Sequence, residues 1–511
     1  MNSIIVKKLG WENSAELQGT FENIEKDFSN NKKQVIVLSA LKADGNVANF
    51  EFNVTRKLIT LWESIVIGTE EKNNEALWLV EEIRNFHIEM IEEKLWKRSK
   101  EPIQYVKETF KNLKEEINHY IKGDEKSIIP SKENDYSINT RSNTPLSLLW
   151  LWENLAARIL QRTIAAFNIQ GLQSEVVDTS NLLLNKKLCD LSEAEIFDAH
   201  TLMLGQRIHS ILEKNKSPVI PGFINNYPGW ILNIVWFWYT DATKSIAWVW
   251  SDNSWYQVKM EVQKYVDGFR SADPRIIKSG TKVIPNLDYA TAIESISSNG
   301  ADAKLLNEQS LRGKVQLAWI PVKIYNPFND SKWTIIDKDG DKDAIWVQAV
   351  LWRKESISVS VNSPISWVWF TEKVSSITRE VWIDMYEQSG SVTDSTFWMW
   401  KDNEDKLPEL LDKMQDKLNL YSEEGWRYVN VYKDRSVVFC IWQNMNWPGI
   451  SGRAGMILAM NGIGIKSSSQ WETQKAISYT IDSKDYDKAI NVLHEEFIVK
   501  SKLKHLIPLQ K

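Results

Sequence analysis

The 511-residue sequence predicts an α/β protein in which a mostly parallel sheet is followed by two copies of a βαββαβ unit. Short runs rich in Val and Ile alternate with helical patterns over the first two thirds, which is typical of a parallel sheet flanked by helices. The order strand, helix, strand, strand, helix begins near 356 and again near 435, which indicates a repeat of about 75 residues. A chain of this length exceeds one ordinary core, so we expect two to four domains.

The first part of the chain supplies the elements of the parallel sheet. "KKQVIVLSA" (32–40) predicts a strand after a polar helix, so the chain begins in βαβ order. Residues 71–125 are rich in Glu, Lys and Asn at helical spacing and predict a charged helical insert. "IQGLQSEVVDTS" leads from an amphipathic helix into a strand, and "SPVIPGFI" (217–224) predicts another. This domain is expected to close near "SKWTIID" (331–337).

The C-terminal part carries the repeat. "SISVSVNS" (356–363) predicts a strand, and Phe370, Val374 and Ile377 begin a helical apolar stripe. "RSVVFCIW" (435–442) starts the second copy, which ends in the helix-like "DYDKAINVLHEEF". The predicted domains are 1–338, with the helical insert at about 71–140, then 346–425 and 426–511.

Composition excludes several classes of protein. Hydrophobic content of 43% and charged content of 25% are those of a soluble globular protein. A net charge of -5 and a pI near 5.9 give no basic footprint for nucleic acid or an anionic membrane. The longest apolar stretch, near 230–239, is about half of what a membrane span needs, and "MNSIIVKKLG" lacks the pattern of a secretory signal. Cys189 and Cys440 are isolated, so we expect a cytoplasmic protein without a disulfide framework.

Tryptophan is abnormally frequent, and it occurs where turns need glycine. The chain has 25 Trp and only 21 Gly, so Gly makes up about 4% against a usual ~7%. "YPGW", "SPISWVWF", "QNMNWPGISGRAG" and "SSSQWETQKAISYTI" each place Trp at a turn, where positive φ is common and an indole is poorly accommodated.

We interpret many of these tryptophans as positions encoded by UGA. Some bacterial codes read UGA as glycine and others read it as tryptophan, so translation with the wrong code would place Trp where the protein has Gly. The alternative is a genuinely Trp-rich protein with aromatic clusters, as in carbohydrate binders. Misread glycines predict several Trp at positive φ or with exposed indoles, whereas a real Trp-rich protein would bury most of them. The candidates are Trp11, Trp238, Trp367, Trp447 and Trp471.

Three segments together resemble one family. With the order "VDGFRSADPR" (266–275), "WIPVKIYNPFNDSKWTIID" (319–337) and "GISGRAGMILAMNGIGIKSSSQ" (449–470), the chain resembles the aspartokinases over nearly its whole length. The resemblance implies a three-layer α/β/α amino-acid-kinase fold followed by two ACT domains. It implies transfer of the ATP γ-phosphoryl group, with Mg²⁺, to the β-carboxylate of aspartate, the first step toward lysine, threonine and methionine. It also implies feedback by an amino-acid effector and a homodimer formed through the ACT domains.

The resemblance also assigns roles to individual residues. The family's Lys-Phe-Gly-Gly-Thr-Ser motif falls on residues 8–13, its Gly-Glu motif on Trp152-Glu153, and its Gly-Arg-Gly-Tyr/Gly-Ser/Thr-Asp loop on Trp236–Asp241. The implied catalytic residues are Lys8 and Asp241. The implied substrate-binding residues are Glu153, Trp236, Phe237, Trp238, Thr240, Asp241 and, by a one-residue shift, Ser14. The implied nucleotide-binding residues are Lys8, Gly10, Trp11, Lys264, Asp267, Arg270, Arg275 and Lys304, with Asp273 beside them. The implied effector-binding residues are Ser363, Trp367, Phe370 and Asp384.

This sequence departs from the family at several of these positions. Phe237 replaces an arginine that pairs with substrate carboxylate, and Glu12-Asn13 replaces Thr-Ser. Arg270 replaces an aromatic residue, and "KLLNEQSL" (304–311) keeps Lys304 but lacks His-Pro. These departures bear on aspartate as the substrate more than on phosphoryl transfer. Two alternatives therefore stay open, a non-catalytic amino-acid sensor and a kinase for another small carboxylate.

The chemistry needs no general base, because a carboxylate of pKa near 3.9 is already ionised at neutral pH. The enzyme must align it with the γ-phosphate and neutralise charge with lysine, Mg²⁺ and backbone N–H groups. Ordinary explanations compete with each role. Lys8 could be solvated, Asp241 a helix N-cap and Glu153 part of a structural ion pair. Asp273-Pro274 could be only a turn, and His494 on the terminal helix is expected to be structural.

Overall fold

The computed structural model describes the strands and helices that form two sheets. The described residues are 2–9, 33–38, 69–95, 99–121, 172–177, 204–221, 224–227, 231–234, 256–264, 266–298, 314–326, 332–344, 346–362, 369–383, 385–390, 394–418, 429–443, 449–470 and 475–500, with scattered residues within 24–26, 57–65 and 155–165 and at 306 and 311. No helix in these ranges is both long and apolar enough to cross a lipid bilayer.

The chain divides into two compact units. Unit 1 comprises Met1–Gly268 and Leu305–Lys338, and unit 2 comprises Phe269–Lys304 and Asp339–Lys511. The grouping of 269–304 with the C-terminal residues was not foreseen from the sequence, and the domain boundaries given above remain predictions.

Unit 1 is built on a mostly parallel sheet. Its strands are β1 (Asn2–Leu9), β2 (Lys33–Leu38), β3 (Gln173–Val176), β4 (Lys216–Pro221), β7 (Tyr256–Gln263), β9 (Val322–Tyr325) and β10 (Trp333–Asp337), with a separate antiparallel hairpin of β5 (Ile224–Tyr227) and β6 (Ile231–Ile234). The unit 1 strands follow the order β3-β4-β2-β1-β7-β9-β10. Every pairing from β3 to β9 is parallel, and β10 pairs antiparallel with β9.

The strand sequences explain this arrangement. Parallel strands are covered on both faces by helices, so they need near-continuous apolar runs. β1 supplies Ile4, Ile5 and Val6, and β2 supplies Val35, Ile36 and Val37, all of them buried. The strands predicted at 32–40 and 217–224 are confirmed.

A pair of long helices forms the charged insert of unit 1. Helix α1 (Glu70–Leu95) begins with two glutamates, which favour its positively polarised N-terminus, and packs against α2 (Lys100–Ile121). The exposed faces carry Lys and Glu, with Lys114 Nζ 2.6 Å from Glu81 Oε1 across the two helices. The buried side includes His87 and Phe110. The helical structure predicted for 71–125 is confirmed over the two described helices, and the bounds of the insert stay a prediction.

Unit 2 contains the repeat. The first copy comprises β11 (Ala349–Asn362), α5 (Phe370–Glu380), β12 (Met385–Gly390), β13 (Asp394–Trp400) and α6 (Leu407–Lys417). The second comprises β14 (Val429–Ile441), α7 (Ile450–Met460), β15 (Ile465–Ser469), β16 (Ala476–Asp482) and α8 (Tyr486–His494). Before them come β8 (Asn286–Asp288) and α3 (Tyr289–Ser298), and unit 1 also contains the short α4 (Lys314–Leu317).

The two copies share one antiparallel sheet in the order β12-β13-β11-β14-β16-β15. The long central strands β11 and β14 pair with each other. Each copy has its own helix layer, and the predicted stripe of Phe370, Val374 and Ile377 is buried in the first. The described part of each copy shows strand, helix, strand, strand, helix, and the predicted α/β fold with a mostly parallel sheet and a C-terminal repeat is confirmed.

Candidate functional site

Lys8 lies at the carboxyl end of the central strand of the unit 1 sheet. β1 runs parallel between β2 and β7, and Lys8 pairs in register with Val37 and Val262. In open α/β sheets, ligands bind outside the carboxyl ends of parallel strands. Lys8, an implied catalytic and nucleotide-binding residue, therefore lies where such a site forms. Its neighbour Lys7 is fully buried.

A polar network lies at the same edge. The Gln263 Nε2 atom donates to the Tyr325 hydroxyl at 2.9 Å, and that hydroxyl donates to Glu261 Oε2 at 3.3 Å. The ammonium of Lys323 lies 4.4 Å from the centroid of the Tyr325 ring. The Oε1 atom of buried Gln263 has no hydrogen-bond partner among the described residues. This edge therefore holds a buried acceptor that a donor from a ligand or water could satisfy.

The loop that follows β7 carries two of the predicted nucleotide-binding residues. The Lys264 amide donates to the Tyr325 carbonyl at 3.0 Å, which extends the β7–β9 pairing by one residue. Gly268 has φ of 136°, and a Cβ there would lie 2.8 Å from the Thr334 amide nitrogen. Only glycine fits against β10 at that point. This packing keeps half-buried Lys264 and Asp267 next to the carboxyl edge.

In unit 2, the segment after Gly268 forms a tight turn. The Ile276 and Ile277 amides donate to the Asp273 carbonyl, and the Arg275 amide donates to Asp273 Oδ1 at 2.8 Å. The Arg275 guanidinium donates to both carboxylate oxygens of Asp273, whose side chain is 1% exposed. Burial acts to raise the pKa of Asp273, but the hydrogen bonds and charge of Arg275 outweigh it, so this pKa lies below its usual range.

These contacts show that Asp273 and Arg275 stabilise the turn, in line with the alternative that Asp273-Pro274 is only a turn. Arg270, the next predicted nucleotide residue, forms a bridge to Val283 and donates to Thr281 Oγ1 at 3.4 Å. The nucleotide roles of Arg270 and Arg275 stay predictions.

His494 is buried at the end of α8 and joins the same segment. Its Nε2 atom lies 3.3 Å from the Ser271 hydroxyl. Burial lowers the pKa of His494, Glu495 acts to raise it, and Lys282 adds to the lowering, so the ring is favoured in its neutral form. The contact connects the terminal helix to 269–284, which supports the structural role expected for His494.

One predicted effector residue lies in the described part of unit 2. Phe370 begins α5, is 1% exposed and packs in the core of the first copy with Val374 and Phe397. The residue before it, Trp369, has left-handed backbone angles, as does Gly449 before α7. Phe370 is thus a core residue, and its role in binding an effector stays a prediction.

The remaining predicted site residues lie outside the described residues, and their roles stay predictions. They are Gly10, Trp11, Ser14, Glu153, Trp236, Phe237, Trp238, Thr240, Asp241, Lys304, Ser363, Trp367 and Asp384, while Lys8 is described in its backbone only.

Sequence reasoning missed the network of Glu261, Gln263 and Tyr325. The signal was available in β7, where polar residues at 259, 261 and 263 alternate with Val258, Met260 and Val262. Period-two alternation places those polar residues on one face. It also missed Lys7, whose burial cannot be read from a Lys-Lys pair.

Comparison with known proteins finds similarity to aspartokinases. The family model of the ACT domain matches residues 443–497. An aspartate kinase of Fusarium oxysporum f. sp. lycopersici is 23% identical over 376 residues, which is 68% of this chain and 66% of that protein. Aspartokinase 1, chloroplastic, of Arabidopsis thaliana is 23% identical over 371 residues, which is 70% of this chain and 61% of that protein. The chain is a divergent aspartokinase homologue. It spans about two thirds of the length of these relatives.

The fold of this aspartokinase homologue is also that of solved aspartokinases. E. coli aspartokinase III in complex with aspartate and ADP aligns over 96% of this chain and 99% of that chain, with a TM-score of 0.68 and 15% identity. The same enzyme in complex with lysine and aspartate aligns over 97% of this chain and 99% of that chain, with a TM-score of 0.65 and 15% identity. At this identity the likeness concerns the fold, and it extends over both the parallel-sheet part and the repeat.

Proposed function

We propose that this aspartokinase homologue transfers the γ-phosphoryl group of ATP to the β-carboxylate of aspartate and that its C-terminal repeat binds an amino-acid effector. The observation that carries the proposal is the correspondence of nearly the whole chain with the aspartokinase fold, combined with the sequence relatives over two thirds of the chain. The position of Lys8 at the carboxyl end of the central strand supports it.

The residues at the carboxyl edge suit a phosphoryl acceptor that is already ionised. An aspartate β-carboxylate needs no base, so catalysis depends on alignment and on charge neutralisation. Lys8 is the residue that we assign to the transferred phosphoryl group, and Lys264, which follows β7, is the second cation that we assign to the nucleotide. The low count of six histidines fits chemistry without a histidine base.

A buried acceptor without a partner supports the binding of ATP at this edge. The buried Gln263 Oε1 atom lacks a hydrogen-bond partner among the described residues and could accept from a ligand amine or hydroxyl. No cluster of three or more His, Cys, Asp or Glu that could hold a metal occurs in the described ranges. Mg²⁺ bound to ATP usually takes only one or two carboxylates and leaves other positions to phosphates and water, and Asp267 is the candidate carboxylate here. When bound, Mg²⁺ would neutralise phosphate charge.

The effector part of the proposal rests on the repeat in unit 2. E. coli aspartokinase III has been solved with lysine and aspartate, which makes lysine the first effector to test. We assign Ser363, Trp367, Phe370 and Asp384 to the effector site, with Asp384 taking the amine. We also assign the sheet-forming repeat to dimer contacts.

The test is a turnover assay that traps acyl phosphate with hydroxylamine and measures ADP in parallel. We expect indoles at the glycine positions of the ligand loops to fill ligand space, so the assay compares the sequence as written with a variant carrying glycine at four of them. These are Trp11, Trp152, Trp236 and Trp238.

In the glycine background, Lys8→Met should lower turnover with aspartate by about 10²–10³-fold, the usual cost of one electrostatic contact to the reacting group. Lys259→Met is the matched control, because Lys259 is exposed on β7 and distant from the carboxyl edge, and it should leave turnover unchanged. Turnover with a different small carboxylate, and none with aspartate, would show that the substrate is that carboxylate. Nucleotide binding without turnover of any amino acid would overturn the kinase proposal and favour the sensor.

A further inference from the structure

The described residues include few non-glycine positions with positive φ, and tryptophan dominates them. They are Asn215, Trp319, Glu355, Trp369 and Trp382, so three of the five are Trp. Positive φ is uncommon for residues with a Cβ and is a real outlier for bulky ones, whereas asparagine adopts it readily.

Two of these tryptophans end helices in the manner that normally uses glycine. After α5, the Trp382 amide donates to the Arg379 carbonyl and the next amide, that of Ile383, donates to Thr378. After α4, the Trp319 and Ile320 amides donate to the Gln316 and Val315 carbonyls in the same pattern. This pair of bonds is the Schellman motif, whose left-handed residue is usually glycine because a Cβ is strained there.

The repeat supplies an internal control. In the second copy, Gly462 occupies the position that corresponds to Trp382, and its φ is 70° compared with 56° for Trp382. The Gly462 and Ile463 amides donate to the Ala459 and Leu458 carbonyls, 80 positions after their counterparts in the first copy. One backbone conformation is therefore occupied by Gly in one copy and by Trp in the other.

The residue that precedes each helix repeats the relationship. Trp369 before α5 has φ of 67° and ψ of 28°, and Gly449 before α7 has φ of 85° and ψ of -7°. Each carbonyl accepts from the amide four residues on, Lys373 in one copy and Arg453 in the other. Both ends of α5 thus have the backbone of a glycine and the side chain of a tryptophan.

The indoles at these positions do not pack in the core. Trp319 is 55% exposed, Trp369 76% and Trp382 84%, whereas Trp442 is 1% exposed. An indole is a large apolar group that is normally mostly buried, so an exposed one contributes little to offset strained backbone. Backbone angles and side-chain exposure therefore agree.

We propose that positions 319, 369 and 382 are glycine positions and that the protein synthesised in its native host carries glycine there, specified by UGA codons. The proposal is independent of the catalytic activity. It makes the two copies of the repeat alike at both ends of their first helices.

The first test replaces Trp382 by Gly and by Ala and follows amide hydrogen exchange in α5. Trp382→Gly should raise protection about 5-fold, the equivalent of about 1 kcal/mol of relieved left-handed strain. Trp382→Ala removes the indole but keeps a Cβ, so it should give no such gain. If Gly and Ala act alike, or if Gly lowers protection, the backbone argument for this position is wrong.

The second copy offers the reverse substitution as a matched control. A Cβ built at Gly462 or at Gly449 meets no atom within 4 Å, so an alanine there changes only the backbone preference. Gly462→Ala should lower protection in α7 about 5-fold. Unchanged protection would mean that this conformation carries no penalty for a Cβ and would remove the basis of the proposal.

The decisive measurement is peptide mass on protein isolated from its native source, together with the codons of its gene. Trypsin releases residues 315–323 as a peptide with Trp319 as its single tryptophan position. Glycine in that peptide, and UGA at 319, 369 and 382, are the expected results. Tryptophan in the peptide, or UGG at these codons, would overturn the proposal whatever the variants do.

Discussion

His87 gives the helical insert a pH-dependent stability whose size follows from its surroundings. The imidazole is 1% exposed between α1 and α2, and its Nδ1–H donates to the Ile83 carbonyl at 2.6 Å. The Phe110 ring centroid lies 5.6 Å away. Burial lowers the pKa of His87 to about 3 from an ordinary 6.5, and the hydrogen bond to Ile83 opposes this only in part.

The sign follows from which state binds the proton. Below pH 6.5 the unfolded helices bind a proton at His87, whereas the folded helices do not until about pH 3. The free energy of unfolding therefore decreases as pH falls through this window. Between pH 7.5 and pH 5.0 the loss is about 2 kcal/mol, because about 1.5 pH units lie below the unfolded pKa at 1.36 kcal/mol each.

The assay is amide hydrogen exchange in α1 and α2, corrected for intrinsic rates at each pH. The native chain should lose about 2 kcal/mol of opening free energy in these helices between pH 7.5 and pH 5.0. His87→Phe keeps a ring against Phe110, and His87→Asn keeps a neutral polar group, and both should flatten the dependence. His209→Asn is the control, because that imidazole is 34% exposed. A dependence of full size in both His87 variants would refute the reasoning.

Three further outcomes are expected. Arg275→Gln should destabilise the turn at 269–284 by about 1–3 kcal/mol, because buried Asp273 loses its partner, whereas Lys278→Gln at an exposed position should not. The stability that the ion pair contributes is present above the pKa of free Asp and is lost as pH falls through the lowered native pKa of Asp273. Acid denaturation of both variants measures this difference. Cys440 should resist iodoacetamide at pH 8 in the native protein and react in urea, because burial raises the pKa of its thiol to about 12; labelling without denaturant would contradict this. Calorimetry with lysine and threonine should show binding to the glycine-restored chain, and no heat with any aspartate-family amino acid would count against the effector site.

The sequence predicted best the parts that depend on apolar periodicity. The stripe of Phe370, Val374 and Ile377 requires one buried helix face, and all three residues pack in the core of the first copy. The parallel strands β2 and β4 were recognisable because consecutive Val and Ile residues bury both of their faces.

Contacts made over long sequence distances could not be predicted in this way. The link between Ser271 and His494 joins residues 223 positions apart, and no local pattern specifies it. The burial of Lys7 depends on the elements packed around β1, which the local sequence does not specify. The Asp273–Arg275 pair is local, but the same letters would also serve a nucleotide, so only the geometry of the turn distinguishes the two uses.

The tryptophans combine a prediction from local sequence with a comparison between distant parts of the chain. Turn chemistry predicted that some would have the backbone of glycine, and Trp319, Trp369 and Trp382 do, although the five positions first named lie outside the described residues. The confirmation comes from a comparison that the sequence offers within itself, since Gly449 and Gly462 occupy the same two backbone positions in the second copy. Because glycine occupies these two backbone positions in the second copy, the tryptophans at the same positions in the first copy can be tested by substitution with glycine. The same logic extends to Trp236 and Trp238, because a loop that brings backbone N–H groups to a substrate requires small residues whether it lies in a regulatory repeat or beside ATP.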